Sequence, residues 1–382
     1  MKSRINLWSD RLFKQVHPLP AGMYNFQSPP ETDHQYRLHL RLEPDGEGVL
    51  VINASTILHL NKSAAEYAYY FINQKNPVEV GRLMHSRYKI SEKQAKGDYQ
   101  AFKSQVQTLI DTPDLSPELF MDLERMDPYS SNISAPFRLD CCLTYRTTEH
   151  TPDNLKRVDR ELTSEEWKII LDKVINAGIP HVVFTGGEPT IRPDLAELVT
   201  FTEEKGIVCG LITDGSRLSD PKYLHQLLAS GLDHLMIDLS SDNGYCWEAL
   251  KDALSEDIFI TAHITITKKN SSKIRDLVQK LTDLQVPSIS LSMDDSGLAK
   301  VLKEAQELIQ LKGIRFVWDL PVPCAVNHPI SVDISEHSEY ISGAGKAWLY
   351  VEPDGDVLPE RGSSKLLGNF LNDDWEVIWK NR

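Results

Sequence analysis

The chain has 382 residues, 41% of them hydrophobic and 25% charged, enough for two or three domains with real cores. Its formal net charge of −14 argues against nonspecific binding to nucleic acid or to an anionic membrane. The N-terminal MKSRINLWSDRLFK has no signal-type apolar core, and no run approaches the roughly 18 apolar residues of a membrane helix, so a cytoplasmic protein is expected.

In chain order, the first block (residues 1–112) has strand-like alternation at 36–42 (YRLHLRL), a PDGEG turn at 44–48, and short strands at 49–52 and 56–60. Three helices are predicted at 63–73, 77–86 and 92–110, with Asn61 and Ser91 as N-caps. Small strands followed by three helices predict a winged-helix-like module. Residues 113–135 read as a linker carrying Pro113, Pro117 and Pro128, with some helical content at 118–124.

From 136 to 330, strands and helices alternate. Strands are predicted at 137–145, 181–184, 207–213, 234–239, 258–267, 288–291 and 314–320. Helices are predicted at 165–177, 194–205, 222–229, 247–254, 272–284 and 297–310. The first of them carries one apolar stripe (Trp167, Ile170, Leu171, Val174, Ile175) behind a capping-box pair, Thr163 and Glu166. Asp220 then Pro221 is a cap followed by a favourable first helical residue. The alternation implies parallel strands with crossover helices. About six such units are too few for a closed eight-unit barrel. A partial barrel or an open doubly wound sheet remains. The last block, 331–382, has a strand at 348–351, a PDGD turn at 353–356, a return at 357–358 and a helix at 374–380.

Five cysteines (Cys141, Cys142, Cys209, Cys246 and Cys324) show no C-x-x-C spacing, and reduced packing thiols are expected. Cys141 and Cys142 face opposite sides of a strand, which makes them poor joint ligands. His181, His234 and His263 open or line strands and are expected to be satisfied or surface groups, with His263 able to face a barrel interior. Asp238 ends a strand, where it either faces a ligand or caps the next turn. Trp348, Trp375 and Trp379 are expected to pack the last block.

The most informative stretch is FTGGEPTIRPDL at 184–195. Gly186 and Gly187 let backbone approach a ligand closely. The Glu188 carboxylate, beside Pro189 at a strand's C-terminal end, suits an ammonium group.

TGGEPT in this position resembles the GGEP signature of the radical SAM superfamily. The resemblance covers roughly residues 136–320 and implies a partial (β/α)6 barrel. It implies an S-adenosylmethionine site in which Gly186, Gly187, Glu188 and Pro189 hold the amino group. Thr213 and Asp214 would lie near the ribose, Asp214 standing where the family usually has Asn. The first block resembles the PqqD-like peptide-recognition fold through ILHLNKSAAEYAYYFI, which implies capture of a peptide or partner protein by strand addition to a sheet edge. The last block resembles a truncated SPASM or twitch extension: SGAGKAWLYVEPDGDVLPERG, then LGNF and WEVIW.

The same resemblance implies a C-x3-C-x2-C loop after TYR, whose three thiolates hold a 4Fe–4S cluster. Here the segment is LTYRTTEHTPDN, and Thr147, Thr151 and Asn154 occupy those positions. A protonated hydroxyl or a neutral amide does not replace a soft anionic thiolate. Ser342 and Glu360 likewise stand where the extension family has cysteine. The expectation is a pseudoenzyme that lacks a 4Fe–4S cluster and binds a peptide or partner. S-adenosylmethionine is its candidate ligand, and a catalytic radical SAM relative a candidate partner. The alternative is an active radical SAM peptide-modifying enzyme with non-standard ligation. Glu149, His150 and Asp153 offer Zn²⁺ or Fe²⁺ ligands, but a polar surface loop is the expected reading. Cluster-free chemistry would rest on Glu188, Asp214 and Asp238, which form no convincing acid–base set.

Overall fold

A computed structural model describes residues 17–29, 31–32, 35–54, 56–112, 133–148, 158–239, 244–317 and 343–382. Glu149, His150, Thr151, Asp153, Asn154, Cys324 and Ser342 lie outside these residues, as do the helical content expected at 118–124 and the boundary expected at 330. The chain divides into two units, Met1–Ser134 and Ala135–Arg382.

In the first unit, β1 (Gly22–Gln27), β2 (Arg37–Leu42), β3 (Gly48–Ile52) and β4 (Thr56–Leu60) form an antiparallel sheet in sequential order. β1 was absent from the sequence-based expectation. Its Tyr24 and Phe26 pack partly on the core, while Tyr24 also meets Tyr69 edge-on at 4.9 Å. Helices α1 (Lys62–Ile72), α2 (Pro77–Arg87) and α3 (Glu92–Asp111) follow. The side chain of Asn61 caps α1 by accepting from Ala64 N at 3.0 Å, and Ser91 caps α3 by accepting from Gln94 N at 3.2 Å. Each such cap stabilises by about 1 kcal/mol. The small residues on α1 bring it close to the sheet. A Cβ on Gly48 would stand 3.0 Å from that of Ala65. Leucines of β2, β3 and β4 share one core with Ala65, Ala68, Tyr99 and Phe102 of the helices.

The second unit holds one ten-stranded sheet. Its parallel strands are β5 (Arg138–Thr144), β6 (His181–Gly186), β7 (Val208–Thr213), β8 (His234–Asp238), β9 (Phe259–Ile266), β10 (Ser288–Met293) and β11 (Arg315–Val317). They lie side by side in chain order, without the reversal that defines a doubly wound sheet. Right-handed crossovers advancing in one direction place every helix on the same face. This settles the open choice in favour of barrel-type winding. The helix-side face carries Leu139, Val182, Phe184, Leu211, Leu235 and Ile260, all at most 1% exposed. Register assigns Val183, Ile212 and Met236 to the inner face, where they form an apolar plug.

Intervening helices follow their sequence signals. In Ser164–Ala177, Trp167, Ile170, Leu171 and Val174 are fully buried, each contributing roughly 1.5–3 kcal/mol. The Thr163–Glu166 capping box forms in both directions. Asp220 caps Pro221–Ala229 by accepting from Lys222 N at 3.1 Å.

The last block adds to this sheet. β12 (Trp348–Val351) pairs in parallel with β5, and β13 (Asp356–Leu358) and β14 (Gly368–Asn369) continue it in antiparallel fashion. Gly355, with φ of +92°, makes the PDGD turn between β12 and β13. Trp375 and Trp379 stack at 5.2 Å in the terminal helix Trp375–Lys380.

Candidate functional site

The C-terminal ends of β5, β6, β7 and β8 lie next to one another and bring together Thr144–Thr148, Gly186–Thr190, Thr213–Ser216 and Asp238. In barrels of this winding, that end carries the chemistry.

The two glycines are required by the chain itself. A Cβ on Gly186 would lie 2.2 Å from the carbonyl oxygen of Thr144, and one on Gly187 2.3 Å from that of Arg146. Gly186 also has a φ of +144°, which disfavours any side chain. The Gly187 and Glu188 N–H groups donate to the Thr144 and Arg146 carbonyls, both at 2.8 Å. The backbone that approaches both glycines is the end of β5 and the residues that follow it.

Glu188 is fully buried. Its Oε1 accepts from Thr190 N at 2.9 Å and Thr213 Oγ1 at 2.8 Å, and also from Thr190 Oγ1. Its Oε2 accepts from Asp214 N at 2.6 Å. Burial, and then the charge of Asp214, push its carboxyl up to about 8, against the opposing pull of these hydrogen bonds. The raised value makes it a weaker partner for an ammonium group than an ordinary exposed carboxylate. Pro189 opens the short turn Pro189–Ile191 and is buried behind it.

Asp214 is only half-buried. Its Oδ2 accepts from Thr148 Oγ1 and its Oδ1 from Ser216 N, both at 2.8 Å. The Thr148 contact ties the start of the cysteine-less loop to the end of β7. Ser216 Oγ is buried without a hydrogen-bond partner among the described residues. Arg192, absent from the sequence-based reading, clamps the motif. Its guanidinium donates to the carbonyls of Leu143 at 3.1 Å and Leu162 at 3.0 Å and forks onto Asp194. Its signal was present in TIRPDL, where Arg192 stands two residues before Asp194.

The remaining expected residues lie as follows. Asp238 is 6% exposed at the end of β8. His263 is fully buried on the inner face, with Nδ1 3.1 Å from Ser290 Oγ and Nε2 3.0 Å from Ser292 Oγ. It is a satisfied histidine. Thr147 is half-buried beside Thr148, and Glu360 half-buried after β13. Tyr145 hydroxyl donates to Glu352, joining the start of the loop to the end of β12.

The described donor set does not fit an iron–sulfur cluster. Cys141, Cys142, Cys209 and Cys246 are buried and in no disulfide. Burial holds Cys141 protonated, well above the usual thiol range, and burial followed by Asp238 pushes Cys246 up to about 11. No group of three or more His, Cys, Asp or Glu able to hold a metal occurs among the described residues.

Residues 140–293 match the radical SAM superfamily. A PqqA peptide cyclase of Bradyrhizobium diazoefficiens is 26% identical over 250 residues, 57% of this chain and 63% of that protein. The match therefore spans less than two thirds of that relative's length. The crystal structure of Streptococcus suis SuiB bound to precursor peptide SuiA superposes with a TM-score of 0.56 at 16% identity, covering 89% of this chain and 86% of that one. SuiB bound to S-adenosylmethionine gives 0.56 at 17%, covering 90% and 86%. At these identities the superpositions establish the α/β fold with its mostly parallel sheet. No helix among the described residues is long and apolar enough to cross a membrane.

Proposed function

We propose that this radical-SAM-fold chain binds a peptide and has lost the 4Fe–4S cluster and the radical chemistry that depends on it. One observation carries the reading: Thr147, Thr151 and Asn154 stand at the three ligand positions, and none offers a thiolate. The buried, protonated thiols elsewhere are no substitute. Relatives that modify a peptide, and a structural neighbour that holds its precursor, supply the substrate class.

Within the first unit, taken as a PqqD-like domain of residues 1–112, the peptide adds to the β4 edge. β4 leads directly into the Asn61-capped helix that carries the resemblance, and among the described residues β3 is its only strand neighbour. The barrel and the tail, residues 136–330 and 331–382, then act as scaffold. Partners of like charge, nucleic acid and anionic membrane, are disfavoured by the net charge of −14.

An adenosyl ligand finds half a site. Asp214 can accept from ribose hydroxyls, and Ser216 has a hydroxyl to offer. The amino-acid end meets a Glu188 already engaged by Thr190, Thr213 and Asp214. S-adenosylmethionine therefore binds weakly here, through Asp214 and Ser216, with Gly186, Gly187, Pro189 and Thr213 shaping the wall.

The deciding experiment is anaerobic reconstitution with iron and sulfide, followed by iron analysis and incubation with S-adenosylmethionine and a strong reductant. The expected result is no stoichiometric iron, no absorbance near roughly 400 nm and no 5′-deoxyadenosine. A brown protein that yields 5′-deoxyadenosine overturns the proposal in favour of an active peptide-modifying enzyme with non-standard ligation.

A further inference from the structure

At the end of the sheet opposite the site just described, the imidazoles of His181 and His234 meet head to head. Their Nε2 atoms are 2.7 Å apart, their ring centroids 4.9 Å, and the planes cross at 65°. The two residues open β6 and β8, which are not neighbours; β7 runs between them. Strands one apart are separated by about 9.5 Å, so their side chains do not ordinarily touch. Gly210 of β7 makes the meeting possible. A Cβ there would lie 2.1 Å from Cε1 and 2.2 Å from Nε2 of His234. Register puts His181, Gly210 and His234 on the inner face, one layer below the Val183–Ile212–Met236 plug. His181 is 8% exposed and His234 half-buried, so the pair is reachable from the strand N-termini.

We propose that His181 and His234 together form a site for a borderline divalent cation, Zn²⁺ or Cu²⁺, at the floor of the barrel. Neutral imidazole nitrogen is a preferred ligand of both ions. In the metal-free pair one Nε2 donates a proton to the other. On binding, that proton moves to Nδ1 of the ring that carried it, and both Nε2 lone pairs face the cation. Two nitrogens bound at about 2.0–2.1 Å in tetrahedral geometry stand about 3.3 Å apart, so the rings need separate by only about 0.6 Å. No third His, Cys, Asp or Glu completes a cluster among the described residues, so water fills the remaining positions. The bound ion cross-links β6 to β8 beneath the plug. This site is independent of the chemistry at the other end of the strands.

The test uses the full chain without a histidine tag, stripped with a chelator. Calorimetric titration with Zn²⁺ is expected to show one equivalent bound. Affinity should fall about tenfold or more in His181→Gln and again in His234→Gln. His225→Gln, which alters the surface pair with Glu256 (2.9 Å), should leave it unchanged. Zn²⁺ should raise the melting temperature of the parent protein but of neither site variant. Electron paramagnetic resonance of the Cu²⁺-loaded parent should report two imidazole nitrogens, a reading that needs no variant to fold. Zn²⁺ binding that persists in both site variants, or a Cu²⁺ spectrum with fewer than two imidazole nitrogens, would overturn the assignment.

Discussion

The backbone N–H of Asp214 donates to Glu188 Oε2 at 2.6 Å, tying the end of β7 to the end of β6. The same carboxyl is pushed up to about 8 by burial and by the Asp214 charge. In the unfolded chain it ionises near its ordinary value, while the folded chain keeps the proton until about pH 8. The unfolded state then binds fewer protons, so stability falls as pH rises through that window. Urea melts at pH 5 and pH 8 should show a loss on the order of 2–4 kcal/mol from this group. Glu188→Gln should lack that component. An equal pH slope in both proteins would remove Glu188 as its source.

Arg192 holds two buried carbonyls and the Asp194 carboxylate. Arg192→Met keeps much of the packing but leaves these acceptors unpaired in a buried setting. The expected cost is about 3 kcal/mol in chemical denaturation. A loss under about 1 kcal/mol would show that the clamp is dispensable.

Gly187→Ala places a methyl 2.3 Å from the Arg146 carbonyl, which is backbone and cannot rotate away. The end of β5 and the segment after it must shift and lose their hydrogen bonds to Gly187 and Glu188. A destabilisation of about 3 kcal/mol or more is expected by thermal melt. Near-parent stability would mean that the approach has slack.

Restoring thiolates tests the scaffold directly. The triple variant Thr147→Cys, Thr151→Cys and Asn154→Cys recreates the C-x3-C-x2-C spacing. After anaerobic reconstitution it should bind iron and absorb near roughly 400 nm, whereas the parent should not. A colourless triple variant would mean that the loop has lost the geometry as well as the ligands.

Peptide capture should protect β4. Hydrogen exchange on adding a cognate precursor peptide is expected to slow at Thr56–Leu60. Protection confined to Gly22–Gln27 would move the docking edge to β1.

Much of the fold was legible because it is written locally. The caps at Asn61, Ser91, Thr163 and Asp220 lie one turn from what they satisfy. The 3.6-residue stripe on Trp167 to Val174 names its own buried face. β1 carries a period-two signal too, Tyr24 and Phe26 between Asn25 and Gln27, so this strand is also written locally. The site was harder. GGEP marked the place, but the donors on Glu188 come partly from Thr213 and Asp214, on the next strand. No local pattern announces that a carboxylate is already saturated. His181 and His234 are further apart still, 53 residues along the chain. The one local hint was a glycine inside β7, where a strand otherwise wants a side chain.

The tight seat of Gly186 and Gly187 against the carbonyls of Thr144 and Arg146 changes what their presence diagnoses. Selection for folding alone is enough to keep both glycines, whatever chemistry the strand ends carry. In this chain the GGE run thus reports how β5 is joined to β6, and it says nothing by itself about which ligand the strand ends hold.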